Sequence, residues 1–151
     1  MFTITPIGRV RSSRVEPQDD RWDAEQASIE LSDEFAPEAL DGVEAFSHVE
    51  IIFVFDRADA AKVVRGARHP RGNPQWPRVG IFAQRGKDRP NHLGVTIVRV
   101  LGRDGRTLRV AGLDAVDGTP VVDIKPVIAE FLPRGELRQP QWATELMAEY
   151  W

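Results

Sequence analysis

The sequence predicts a mainly β protein: a single compact β-barrel of about seven short strands, with short peripheral helices and a late amphipathic helix. Three observations carry this reading. Short segments rich in β-branched residues or alternating apolar and polar positions recur along the chain. Strands do not alternate with long helical patterns, as a βαβ chain requires. A length of 151 residues suits one sizeable core, so the expectation is one domain spanning 1–151. Closing such strands into a barrel removes the exposed edges they would otherwise leave.

Taken in order, the expected strands are Phe2–Val10, Ala27–Leu31, His48–Phe55, Val79–Phe82, Gly94–Leu101, Thr107–Ala111 and Pro120–Ile124. The third contains VEIIFVF, the most hydrophobic stretch of the chain. Gly102–Arg106, centred on Asp104-Gly105, reads as a hairpin connection. Glu34–Leu40 reads as a short helix and Gln141–Tyr150 as another. In the second, Trp142, Leu146 and Tyr150 recur every four residues with Met147 beside them, so its apolar side faces the barrel or a second subunit. Residues 62–78 carry three Pro and two Gly and read as a long loop, a feature usually tied to function or mobility.

The net charge of −3 hides an asymmetry. Glu16 to Asp59 holds fourteen acidic and two basic residues; Lys62 to Arg109 holds twelve basic and two acidic ones. The second segment is either a footprint for a polyanion or a partner that neutralises the first across the fold. With no Cys there is no disulfide, thiolate metal site or cysteine nucleophile. No apolar run approaches the ~20 residues of a membrane span, and the opening MFTITPIGRV lacks a signal-peptide pattern. A soluble, cytoplasmic protein with no membrane partner is expected.

Familiar catalytic signatures are missing. There is no G-x-G-x-x-G, no P-loop and no G-x-S-x-G elbow. His48, His69 and His92 are scattered, and Asp114 with Asp117 lacks the framework of an EF-hand, so no metal is expected. Phe46-Ser47-His48 reads as a strand entry whose side chains satisfy backbone groups.

Two loops are denser in charge than mere connections need: Arg85–Gly94, reading RGKDRPNHLG, and Asp114–Pro126, reading DAVDGTPVVDIKP. Loops on a rigid β scaffold are where binding groups concentrate. A turn accounts for Asp117-Gly118, where Gly supplies positive φ, but it leaves Asp114, Asp123 and Lys125 unexplained. In Arg89-Pro90-Asn91, Pro90 biases Arg89 toward extended backbone. Structural pinning and ligand binding both remain open for this tripeptide.

At these residues the chain resembles the TsaA-like (TrmO-type) family of β-barrel methyltransferases that use S-adenosylmethionine. Pro6–Ser12 resembles the family's PIGxVRS, and Leu40–His48 its LxGLEGFSH block. Gly80–Arg85 resembles GVFAxR, Arg89–Thr96 resembles RPNPIGLS, and Leu113–Pro126 resembles DLLDGTPVLDIKP. The five blocks occur in order over nearly the whole chain. The resemblance implies a homodimer that methylates N6 of a threonylcarbamoylated adenosine beside the tRNA anticodon. It implies cofactor contacts at Arg85, Val95, Asp114, Ala115, Val116 and Asp117, with further positions at Arg21, Trp22, Asp56 and Arg57. Arg89, Asn91 and His92 would hold the acceptor nucleoside, and Arg65, Arg68 and Arg71 of the long loop would contact tRNA phosphates.

The chain departs from the pattern at His92 (Pro is usual), at Thr96 (Ser is usual) and in the loop HPRGNPQWP. Two alternatives therefore stand beside the first reading: the same cofactor with a different acceptor, a small molecule or another RNA base, and a non-catalytic RNA- or nucleotide-binding module. Displacement at a sulfonium methyl needs no metal or covalent nucleophile, and positioning alone can supply ~7–11 kcal/mol of barrier reduction. An exocyclic amine sheds its proton after attack, so no general base is assigned and the catalytic residues stay unnamed.

Overall fold

Six strands alternate in direction around a closed barrel in the order β1-β2-β7-β6-β3-β8, in a computed structural model that describes Met1–Trp151. The elements are β1 (Gly8–Ser12), β2 (Gln26–Leu31), β3 (His48–Val54), β4 (Ala67–Arg68), β5 (Val79–Gly80), β6 (Leu93–Asp104), β7 (Thr107–Ala111), β8 (Pro120–Pro126) and one α-helix, α1 (Gln141–Leu146). Every barrel pairing is antiparallel.

Period-two patterning decides which face is inside. Along β3, Val49, Ile51 and Phe53 are buried while the residues between them are partly exposed. Val98 opposite Val49, and Ile29 opposite both Val10 and Leu108, complete the interior. Each large apolar side chain removed from water contributes about 1.5–3 kcal/mol. A one-residue slip would turn that whole set outward, which is why the register is unambiguous.

The 12-residue β6 runs along β3 and then β7, and its register with β7 shifts between Val100 and Gly102. Such an irregularity bends a strand and raises its twist, as a closing barrel requires. Gly94 is demanded by space: a Cβ there would lie 2.6 Å from the Phe53 ring. The β6–β7 turn is Gly105-Arg106, with Gly105 at φ 57°, the left-handed value expected of a tight hairpin.

The barrel has six strands rather than about seven. The expected strand Val79–Phe82 leaves the wall: β5 pairs only with β4 in a two-stranded sheet, and Ile81–Ala83 turns as a 3₁₀ segment. The long loop 62–78 is thus partly ordered by its own small sheet. The first strand begins at Gly8, not Phe2, because nothing pairs with the exposed Met1–Pro6. The expected helix Glu34–Leu40 is a 3₁₀ turn, Pro37–Leu40, which Pro37 starts and only Leu40 anchors in the core. The late helix ends at Leu146, and Met147–Tyr150 continues as turn.

Strand direction sorts the connections. β1–β2 (13–25), β3–β6 (55–92) and β7–β8 (112–119) all leave from one end, here called the rim. The β2–β3 connection and the β6–β7 hairpin lie at the other end. Charge from the two halves of the sequence is partly cancelled across the fold: Arg71 meets Asp20 at 3.0 Å, Arg99 meets Asp23 at 2.7 Å, and Arg103 meets Asp41 at 2.5 Å. No helix is long and apolar enough to cross a membrane.

Candidate functional site

Asp114 organises the rim. It is half-buried just beyond β7, where Leu113 and Ala115 on either side are buried and hold the chain down. The Thr96 hydroxyl of β6 donates to Asp114 Oδ1, and the Tyr150 hydroxyl donates to Oδ2. Thr96 points inward from β6 and is 8% exposed, so its hydroxyl needs a partner and finds this carboxylate. Tyr150 is held in its neutral form: burial and the adjacent Asp114 charge raise its pKa well above the usual 10.0, with Arg85 and Arg71 opposing the shift. Those opposing contributions put Arg85 and Arg71 in the electrostatic neighbourhood of the same phenol.

Arg85 is exposed and donates from Nη2 to the Val95 carbonyl at 2.6 Å. Val95 lies on the outer face of β6, opposite Ile52 of β3. Arg85, Val95 and Asp114 therefore come together at the rim. Ala115 and Val116 follow Asp114; Ala115 is buried, and the Val116 carbonyl accepts from the Thr119 hydroxyl at 2.7 Å.

Asp117 serves a different end. Its Oδ1 accepts from the Ser12 backbone N–H at 3.0 Å, and its own N–H donates to the Arg14 carbonyl at 2.7 Å. That latch ties β7–β8 to the end of β1. Asp117 also borders an open cleft of about 360 Å³ on the outer wall, beside Arg11, Ser28 and Arg109. Asp123, unexplained by sequence, accepts from the Ile124 N–H at 2.9 Å and pairs with exposed Lys125 at 2.9 Å.

The first rim loop contributes mainly backbone. Trp22 is 2% exposed, with the Arg14 guanidinium 4.2 Å from its ring centre and no partner for its indole Nε1. Its side chain anchors the loop and does not face solvent. The Arg21 and Trp22 N–H groups donate to the Glu149 and Tyr150 carbonyls, each at 2.9 Å. Arg21 itself is exposed, with φ 69°. Asp56 is exposed at the end of β3, while Arg57 reaches across to the Val15 carbonyl at 2.5 Å and Glu16 at 3.4 Å.

Residues 89–92 make a constrained turn. Asn91 and His92 both have positive φ, 66° and 50°, a conformation for which Asn and His are enriched among non-glycine residues. Arg89 Nη1 donates to the Gln84 carbonyl at 2.7 Å, and His92 Nδ1 lies 3.0 Å from the Lys87 carbonyl. Pinning is thus real for Arg89 and His92, whereas Asn91 is exposed and makes no side-chain hydrogen bond of its own.

Of the three arginines expected to contact RNA, Arg65, Arg68 and Arg71, only Arg65 is exposed without an ion pair. Arg68 pairs with Asp88 at 2.9 Å and Arg71 with Asp20 at 3.0 Å. Buried Gln84 holds this region together, its amide reaching the carbonyls of Arg68 at 3.2 Å and Val79 at 3.0 Å. Sequence reasoning missed Gln84, Thr96 and Tyr150 as site-forming residues. Thr96 carried a weak signal, a hydroxyl at an inward strand position; Tyr150 read only as an apolar helix position.

The fold is a closed antiparallel β-barrel with Arg85, Asp114 and two hydroxyls on one rim, not a sheet-based nucleotide fold. The tRNA-methyltransferase O N-terminal domain family matches residues 11–131, and the chain belongs to that family. A probable S-adenosyl-L-methionine-binding protein of Pyrococcus abyssi is 36% identical over 144 residues, covering 91% of this chain and 74% of the relative. The tRNA (adenine(37)-N6)-methyltransferase of Escherichia coli is 44% identical over 104 residues, covering 64% of this chain and 43% of that enzyme. The crystal structure of TrmO from Pseudomonas aeruginosa superposes with a TM-score of 0.73 at 32% identity, over 91% of this chain and 61% of that one. The chain thus spans less than two thirds of the solved TrmO and under half of the bacterial enzyme.

Proposed function

We propose that the protein is an S-adenosylmethionine-dependent methyltransferase acting on tRNA, with N6 of a modified adenosine beside the anticodon as the acceptor. The observation that carries this is the meeting of Arg85, Val95 and Asp114, drawn from separate family-like blocks, at one rim of a family barrel. The residues suit the cofactor. Arg85 spends one N–H on Val95 and has further donors for a carboxylate. Asp114 retains acceptor capacity for hydroxyl or ammonium donors. The bound cofactor would supply an electrophilic methyl on a sulfonium.

The chain's own task is then to orient and to exclude water. Ala115 and Val116 give an apolar floor, Arg21 and Trp22 contribute backbone, and Asp56 and Arg57 close the neighbouring connection. Asn91, exposed on its constrained turn between Arg89 and His92, is the best placed to read the acceptor. Arg65, like Lys62 and Arg78 of the same loop, is exposed outside any ion pair and free to meet an RNA phosphate.

We further propose a homodimer. The outer face of β6 leaves Val95 37%, Ile97 45% and Leu101 41% exposed, with Arg99 between the last two drawn to Asp23, an apolar patch that includes a candidate cofactor residue. A second copy covering it would bring the two rims near one another. Action on tRNA fits a cytoplasmic setting.

The deciding experiment incubates the protein with unmodified and modified tRNA and labelled adenosylmethionine, then identifies nucleosides by mass spectrometry. Label on N6 of threonylcarbamoyladenosine is the expected result. Label elsewhere would favour another acceptor, which the unusual His92 turn makes the second reading. Cofactor uptake without transfer to RNA would sink the tRNA assignment.

A further inference from the structure

We propose that Tyr150 is a positioning residue of the rim site, fixing Asp114 in the orientation that receives the cofactor's polar groups; this rests on the reading of the rim as an adenosylmethionine site. Tyr150 lies beyond residues 11–131, so the family match does not reach it. Its role follows from contacts of this chain alone.

The segment carrying Tyr150 is tied down at two places, and the Tyr150 ring is flanked by its own neighbour Trp151. Its backbone accepts from Arg21 and Trp22 at 2.9 Å each. Glu145 of α1 accepts from the Trp76 indole N–H at 2.8 Å, joining the segment to the long loop. Trp151 packs edge-on against the Tyr150 ring with centroids 4.8 Å apart. A phenol held this way has little rotational freedom left to lose when a ligand arrives, the condition for a preorganised site.

The chemistry of the contact matters as much as its rigidity. Both donors to Asp114, the Thr96 and Tyr150 hydroxyls, are neutral, one on each carboxylate oxygen. Each oxygen can accept about two hydrogen bonds, so each keeps one site for a ligand. Because no arginine pairs with Asp114, its charge is not spent inside the fold. A tyrosine required only for packing would have no need to aim its hydroxyl at this carboxylate. The phenol is a neutral donor across the physiological range, and burial with the Asp114 charge extends that range upward.

The test is calorimetric titration of adenosylmethionine into the full chain, as wild type, Tyr150→Phe, Asp114→Asn and the double variant. Tyr150→Phe should weaken binding roughly tenfold to a hundredfold, the range for the loss of one hydrogen bond to a charged group. In the Asp114→Asn background the same change should alter affinity less than about twofold, because groups acting through one another are not additive. Unchanged affinity for Tyr150→Phe, or the same loss in both backgrounds, overturns the inference. No binding by wild type overturns the adenosylmethionine reading as well, so the two failures are told apart. Should Tyr150→Phe not fold, 3,5-difluorotyrosine at position 150 keeps the ring and acidifies the phenol. Binding should then fall as pH rises through that ionisation, and a flat profile counts against the role.

Discussion

Arg85 Nη2 donates to the carbonyl oxygen of Val95 at 2.6 Å, so a side chain leaving the long connection is fastened to the outer wall of β6. One donor is spent on this tie and the rest of the guanidinium fork faces outward. Arg85→Ala should therefore leave the barrel folded and reduce adenosylmethionine affinity about tenfold to a hundredfold, the range for hydrogen bonds to charged groups. Calorimetry checks this, and an unaltered affinity would remove Arg85 from the site.

Arg65 and Arg68 of the long loop should separate by consequence. Arg65→Ala should flatten the dependence of tRNA affinity on log salt by about one unit, as expected when one phosphate contact is lost. Arg68→Ala should instead leave Asp88 unpaired, a carboxylate with one oxygen already lacking a partner. The expected cost is about 2 kcal/mol, or roughly 4–8 °C in melting temperature for a chain of this size. A salt slope that moves for Arg68→Ala but not for Arg65→Ala would contradict this division.

Ile97→Arg should convert a dimer to a monomer in sedimentation velocity, because it places a charge on the apolar patch of β6. Wild-type protein that already sediments as a monomer would defeat the dimer proposal outright.

Alkaline stability should report on Tyr150. Its folded pKa is raised above the unfolded value of 10.0, so the stabilisation is fully present below pH 10 and is lost as pH rises beyond it, when only the unfolded chain releases the proton. Urea melts between pH 9 and 11 should show wild-type stability falling more steeply than that of Tyr150→Phe, by up to about 1.4 kcal/mol per pH unit. Parallel curves would mean that the phenol titrates normally.

Gly94→Ala should destabilise by about 1–3 kcal/mol through forced overlap with the buried Phe53 ring. Thermal melting checks it, and a neutral outcome would show that Phe53 moves freely.

Much of this fold was legible in the chain. β2, β3, β6, β7 and β8 announce themselves because one face of each must be apolar, and that constraint is written at every second position. What escaped was set by contacts distant in sequence. Val79–Phe82 has strand-like residues, yet the wall closes without it, and no local signal reveals where a barrel closes. Pro37–Leu40 was too short to decide between helical forms. Within the site, Arg85 and Asp114 stood out as charge without an evident partner. Thr96 and Tyr150 did not, because their importance lies in where their hydroxyls end up. Asp117 shows the converse: the family resemblance implied a cofactor contact there, while its geometry makes a latch with Ser12.

The hydrogen bond from Trp22 to Tyr150 joins positions 128 residues apart (150 − 22). Pairings this distant close large loops and form after the local hairpins. The pocket would then be the last part of the molecule to become competent, and a chain could show its full strand signal while still unable to take up ligand. Refolding followed by circular dichroism and by ligand binding should separate in time, with binding the slower trace.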